Sequence, residues 1–184
     1  LEGTAILAHD RADRLLELIP RDAVDRAQRV IEELSVVKEA LAATQGKVTA
    51  MHDATEGGLL GGVYELASAA NVGFEVDARA IPIREETQLI CRAARIDPLR
   101  LISSGSMIIT TPEPEDIISR IRAVGVPAVV IGSITSDRAG VIVDKGSRQY
   151  VDPPERDQLY VGLDNLAGNE QESGDNNGGI TARM

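Results

Sequence analysis

The stretch Met51-His52-Asp53-Ala54-Thr55-Glu56-Gly57-Gly58-Leu59-Leu60-Gly61-Gly62 places acid, hydroxyl and flexible backbone between a short β-rich run and an apolar helix. Upstream, Lys47-Val48-Thr49-Ala50-Met51 follows Gly46 and is part β-branched, which predicts a strand ending at the loop. Downstream, Leu59, Leu60, Val63, Leu66, Ala67 and Ala70 recur at steps of three and four, so a helix with one buried face is expected to begin near Gly58. Its first turn would leave amide N–H groups unpaired and turn the positive end of the helix dipole toward the loop, where glycine lets an anion approach the backbone. Asp53 and Glu56 add hard oxygen donors, and Mg²⁺ is commonly held by one or two carboxylates together with substrate phosphates. The same residues also fit a structural turn in which Asp53 or Thr55 caps the helix. This is not a Walker loop, because Gly46-Lys47 is followed by Val48 instead of Ser or Thr.

Working outward, residues 10 to 19 and 21 to 45 read as helices separated by Pro20, the second with Val24, Val30, Ile31, Leu34, Val37 and Leu41 on one side. After the loop helix, Val72 to Asp77 reads as a strand, and Ala80-Ile81-Pro82-Ile83 as an edge or connection that tolerates proline. Glu85 to Arg95 is the next expected helix, followed by the Ser103-Ser104-Gly105 turn and a strand from Ser106 to Thr111. Pro112 opens a helix with Ile117, Ile118, Ile121 and Val124 inward and Gly125 as its cap. Ala128 to Ile134 and Gly140 to Asp144 are expected to pair as antiparallel strands around Ser136-Asp137-Arg138-Ala139. Strands alternate with helices without a strict parallel pattern, so the predicted class is α/β (α+β): one layered domain with a mixed β-sheet covered by helices. Helices on one face would leave the other sheet face for a partner. Residues 164 to 184 are rich in Gly, Asn, Glu, Gln and Ser, and are expected to form a disordered polar tail beyond a domain at 1 to 163.

Composition narrows the function classes. With 43% hydrophobic residues but one Phe, three Tyr and no Trp, the core must be aliphatic. A net charge of −10 and scarce aromatics oppose nucleic-acid binding, which relies on basic patches and base-stacking platforms. Cys91 alone cannot form an internal disulfide, no apolar run approaches a membrane span, and no signal peptide is recognised, so a cytoplasmic protein is expected. His9, His52 and Cys91 lack zinc-ligand spacing. Cys91 lies within an amphipathic helix and reads as a small buried apolar residue. His52, next to Asp53, can be a general base or metal ligand, or simply hydrogen-bonded structure. Ser104 and Gly105 could place backbone amides at a second anion site across from Gly57, or form an ordinary turn into a strand.

Three segments, Met51 to Gly62, Ser103-Ser104-Gly105-Ser106-Met107-Ile108-Ile109 and Pro153-Pro154-Glu155-Arg156-Asp157-Gln158-Leu159-Tyr160, together resemble the C-terminal domain of the AIR synthase (PurM-like) superfamily. Within it the resemblance is strongest to the branch of hydrogenase expression/formation protein HypE and AIR synthase-related proteins, over roughly residues 1 to 160. It implies ATP and Mg²⁺ as cofactors, an N-terminal ATP-binding domain that this chain lacks, a homodimer in the full-length protein, and a small-molecule phosphate substrate. By matching position, Asp53, Thr55, Glu56, Gly57 and Gly58 would form the loop given to the cleft: Asp53, Glu56 and His52 in catalysis, Asp53 and Glu56 on metal, and Thr55, Gly57, Gly58, Ser104 and Gly105 on cofactor. Leu1 to Ala8 resembles the linker between the family's two domains. Glu56 departs from the HypE pattern, where Arg is usual, and the terminal cysteine of HypE has no counterpart at Ile180-Thr181-Ala182-Arg183-Met184. A hydrogenase-maturation role is one expectation, therefore, beside a thiamine-monophosphate-kinase-like phosphotransferase domain and a non-catalytic ligand-binding or dimerisation module. The fragment alone is expected to be inactive.

Overall fold

A computed structural model describes residues 1–167 of the chain. Its first element is a helix, α1 (Glu2–Asp10), and not a linker: Thr4, Ala5, Leu7 and Ala8 are all at most 1% exposed. The correction has a packing cause. Gly3 lets α1 lie directly on Leu101 and Ile102, where a Cβ would come within 2.6 Å of the Leu101 side chain. Helices α2 (Ala12–Leu16), α3 (Arg21–Arg29), α6 (Glu85–Ala94) and α8 (Gln158–Asn165) gather around α1, burying Leu7, Leu15, Val24, Ile90, Ala94 and Leu166 in one aliphatic core. Asp164 and Asn165, expected in the polar tail, instead complete α8, and Leu166 behind them is 1% exposed. Most of the tail, from residue 168 on, lies outside the described residues.

The single helix expected over 21 to 45 is broken. After α3 the chain runs through a 3-10 turn (Val30–Glu33), then a non-helical link, and resumes as α4 (Val37–Ala43). Tertiary contacts override the periodicity there: Arg84 grips Glu33 in a two-pronged ion pair, and the Gly105 loop lies so close that a Cβ would be 3.1 Å from Leu34 Cα. The break rotates the apolar stripe out of phase. Ile31, Val37 and Leu41, expected inward, are 46%, 61% and 63% exposed.

Two sheets form. Strand β1 (Ala50–Asp53) pairs antiparallel with β3 (Met107–Thr110). The second sheet has the order β4-β2-β5-β6, with β2 (Gly73–Asp77), β4 (Gly132–Thr135), β5 (Gly140–Asp144) and β6 (Ser147–Tyr150). It is mixed as expected, but the predicted β4/β5 hairpin does not exist, because β2 inserts between them, antiparallel to β4 and parallel to β5. Phe74 and Val76, 2% and 3% exposed, claim the central position, since they carry the apolar face that packs on α5 (Gly58–Ala70). The turn after β4 wraps the end of β2 so closely that only a glycine fits at 73, where a Cβ would lie 1.7 Å from the Asp137 carbonyl oxygen. Strand β6 escaped the sequence reading because all four of its residues are exposed. Its hairpin turn, Lys145-Gly146, has both residues at positive φ, 48° and 83°, the geometry that joins antiparallel strands tightly.

Helix α5 forms as its periodicity predicts, with Leu60, Val63 and Ala67 inward and Asn71 ending it in the left-handed conformation. Helix α6 likewise ends at Arg95 in that conformation. Helix α7 (Pro114–Ala123) buries Ile117 and Ile121 against Ala43 of α4, while Ile118 and Val124 stay partly exposed. No helix among the described residues is long and apolar enough to cross a membrane.

Candidate functional site

The strand-loop-helix unit places the candidate residues on one exposed corner. β1 ends at Asp53, Ala54 is fully buried, and α5 starts at Gly58 with Gly57 before it at φ +80°. Asp53 and Glu56 are exposed, and Thr55 is half-buried. The His52 ring lies beside Asp53, 3.8 Å from Nδ1 to Oδ1, and Glu56 has no ion pair among the described residues. His52 is engaged through its other nitrogen, with Nε2 2.8 Å from Oε2 of Glu65, about two turns into α5. Nothing in the sequence singled out Glu65 beyond its charge on an otherwise apolar helix.

The second candidate loop lies beside the first. Ala54 donates its N–H to the Ser106 carbonyl at 2.8 Å, and Ser103 donates to the Thr55 carbonyl at 3.4 Å. The hydroxyls there are already used. Ser104 donates to the Glu2 carboxylate, and the Ser103 and Ser106 hydroxyls are 3.1 Å apart. Gly105, at φ +94°, packs against the end of the 3-10 turn at Glu33 and Leu34. Ser104 and Gly105 thus seat the first helix and the link to α4.

The amides expected to receive an anion are also satisfied by the protein itself. Gly57 donates its N–H at 2.7 Å to Oδ2 of Asp157, a carboxylate only 2% exposed. Gly58 donates to the Thr55 carbonyl at 3.0 Å. The glycines have a second physical reason to be there. A Cβ at Gly58 would stand 2.7 Å from the carbonyl oxygens of Leu99 and Leu101, and one at Gly57 would stand 2.7 Å from Pro154 Cβ. Asp157 was missed as a site residue, although its segment was read as distinctive. Its signal was that of an N-cap, an aspartate directly before the helical run Gln158-Leu159-Tyr160-Val161.

Asp53 and Glu56 suit a hard cation that takes most of its ligands from phosphates and water. Among the described residues no three of His, Cys, Asp and Glu converge as a metal cage. Cys91, 2% exposed, has its thiol pushed up to about 12 by burial and secondarily by Asp97, which keeps it protonated and unreactive at neutral pH.

Comparison with known proteins agrees with this architecture. A Methanocaldococcus jannaschii protein assigned by name to hydrogenase expression/formation is 28% identical over 169 residues, 86% of this chain and 50% of that protein. Carbamoyl dehydratase HypE of Rhizobium leguminosarum is 32% identical over 106 residues, 55% of this chain and 30% of that protein. The chain therefore spans half or less of the length of these curated relatives. The crystal structure of Escherichia coli HypE superposes with a TM-score of 0.62 at 22% identity, covering 71% of this chain and 42% of that one. A structure of hydrogenase maturation protein HypE in complex with ATP gives 0.56 at 25% identity, covering 76% and 42%. The family model for the C-terminal domain of AIR synthase related protein matches residues 2–145, and the chain belongs to that family.

Proposed function

We propose that this chain is the C-terminal domain of an ATP-dependent protein of HypE-like type, with a role in hydrogenase maturation, and that it contributes the loop Asp53 to Gly58 to a nucleotide site completed by a preceding domain. The observation that carries the reading is the pair Asp53 and Glu56. Both carboxylates stand exposed, free of any lysine or arginine ion pair among the described residues, Asp53 at the end of β1 and Glu56 in the following loop, which two backbone hydrogen bonds stitch to its neighbour. Such groups are available to Mg²⁺ bridging to a polyphosphate, and the cation would offset their repulsion of the nucleotide. The metal would supply charge neutralisation at the phosphates. The chain's own share is to hold two acceptor oxygens on a rigid strand-to-helix unit and to keep His52 oriented by Glu65 beside them. The ATP complex of a HypE relative supports the nucleotide, and the names of the relatives support the maturation role.

The filled Gly57 amide and the occupied Ser104 hydroxyl favour a second reading, a ligand-binding or dimerisation module without chemistry. Titration with a non-hydrolysable ATP analogue and Mg²⁺, followed by amide NMR, separates the two. Metal-dependent shifts at residues 53 to 58 that vanish in the Asp53→Asn, Glu56→Gln double variant are expected. Shifts that survive the double variant would sink the reading of Asp53 and Glu56 as metal ligands, and no shifts at all would sink a nucleotide site on this chain alone, without its preceding domain.

A further inference from the structure

One carboxylate touches both candidate loops. Asp157 Oδ2 accepts from Gly57 N–H at 2.7 Å, at the start of α5. Its Oδ1 accepts from Ile102 N–H at 3.1 Å, directly before the Ser103-Ser104-Gly105 turn, and from Leu159 N–H at 2.7 Å, in the first turn of α8. The three donors come from three separate stretches of chain, and the acceptor is 2% exposed. Pro154 closes the same segment over the loop, since a Cβ at Gly57 would lie 2.7 Å from Pro154 Cβ.

From this convergence we infer that Asp157 is the positioning residue of the site, a clamp that fixes the spacing between the Gly57 loop and the Ser103–Ser106 loop and ties both to α8. A helix cap needs only the Leu159 bond. The bonds to Gly57 and Ile102 serve a different end, because each fixes the backbone of one ligand loop to the same rigid group, and a buried carboxylate holds N–H donors more firmly than a neutral acceptor does. Beside the β1–β3 ladder, the Ala54–Ser106 and Ser103–Thr55 bonds also join the two loops, the second of them long at 3.4 Å. The functional meaning of the clamp rests on reading these loops as a ligand site, but its existence does not.

The decisive variant is Asp157→Asn, which keeps shape but offers one acceptor oxygen where two are in use, so that an NH₂ faces an N–H. Leu166→Ala is the control, because Leu166 is 1% exposed in the same helical core and makes no bond to either loop. Native-state amide exchange should rise at least tenfold more at Gly57 and Ile102 together in Asp157→Asn than in Leu166→Ala. Equal acceleration in both variants, or acceleration confined to Leu159, overturns the clamp. Should Asp157→Asn fail to fold, couplings across the hydrogen bonds from the Gly57 and Ile102 amides to Asp157 Cγ in the unaltered chain decide the question, and their absence refutes it. A second readout is the affinity for pyrophosphate with Mg²⁺, which should weaken about tenfold in Asp157→Asn and hold in Leu166→Ala. An unaltered chain that binds no pyrophosphate speaks against the ligand reading, while the exchange comparison still decides the clamp.

Discussion

Gly58→Ala tests whether the glycines of the loop are there for packing. Gly58 has φ +66°, and a Cβ would meet the carbonyl oxygens of Leu99 and Leu101 at 2.7 Å and the carbonyl carbon of Arg100 at 2.9 Å. All three are backbone atoms of the turn at Pro98–Arg100 and its exit, so no side chain can swing aside. Holding alanine in the left-handed region costs about 1–2 kcal/mol, and roughly 0.4–1 of this is recovered because alanine restricts the unfolded chain. Forcing the backbone apart adds an overpacking cost of about 1–3 kcal/mol. The sum is a loss of about 1–4.6 kcal/mol, centred near 3, or a fall in Tm of roughly 2–18 °C for a domain of this size. Gly125 supplies the control, with φ +81° and nothing within 4 Å of a built Cβ. Gly125→Ala should therefore cost only about 1 kcal/mol, roughly 2–4 °C. Urea unfolding of both variants with a shared m-value measures the difference. If Gly58→Ala is no more destabilising than Gly125→Ala, the close approach to Leu99 and Leu101 is wrong, and only the positive φ is left to account for the glycine.

Cys91 should not react with a thiol reagent in the native chain at pH 8, and should react fully in denaturant. Its raised folded-state pKa means that its contribution to stability is complete below the ordinary thiol value of 9.0 and is lost as pH climbs toward about 12, so Cys91→Val should flatten the alkaline fall in urea-derived stability. Native reactivity at pH 8 would show that the thiol is not enclosed. Leu41→Lys, at a position 63% exposed, should change stability by about 0.5 kcal/mol or less in thermal unfolding, where a core leucine would lose several. A loss of core size would restore the continuous helix expected from the periodicity.

The sequence alone determined what depends on near neighbours. The run Leu60, Val63, Ala67 specified helix α5 because three- and four-residue spacing places its side chains on one face whatever surrounds it. Gly125 likewise marked the end of α7 through local backbone preference, but the helix opens at Pro114 and not at Pro112 as the sequence suggested; the loop between β1 and α5 was legible from its glycines. Asp53 and Glu56 could be singled out because exposed acids in a strand-to-helix turn follow from residue type and spacing. Only the tertiary structure decided which strands pair. β4 and β5, near in sequence, are separated by β2, because burying Phe74 and Val76 against α5 outweighs the proximity of a hairpin. Only it turned Val37 and Leu41 outward, since the contacts of Glu33 and Leu34 with Arg84 and Gly105 break the helix at a point that periodicity cannot see. Asp157 is the sharpest case. Its identity as a helix cap was local, but its bond to Gly57 spans 100 residues and its bond to Ile102 spans 55, and such partners exist only once the chain has folded around them.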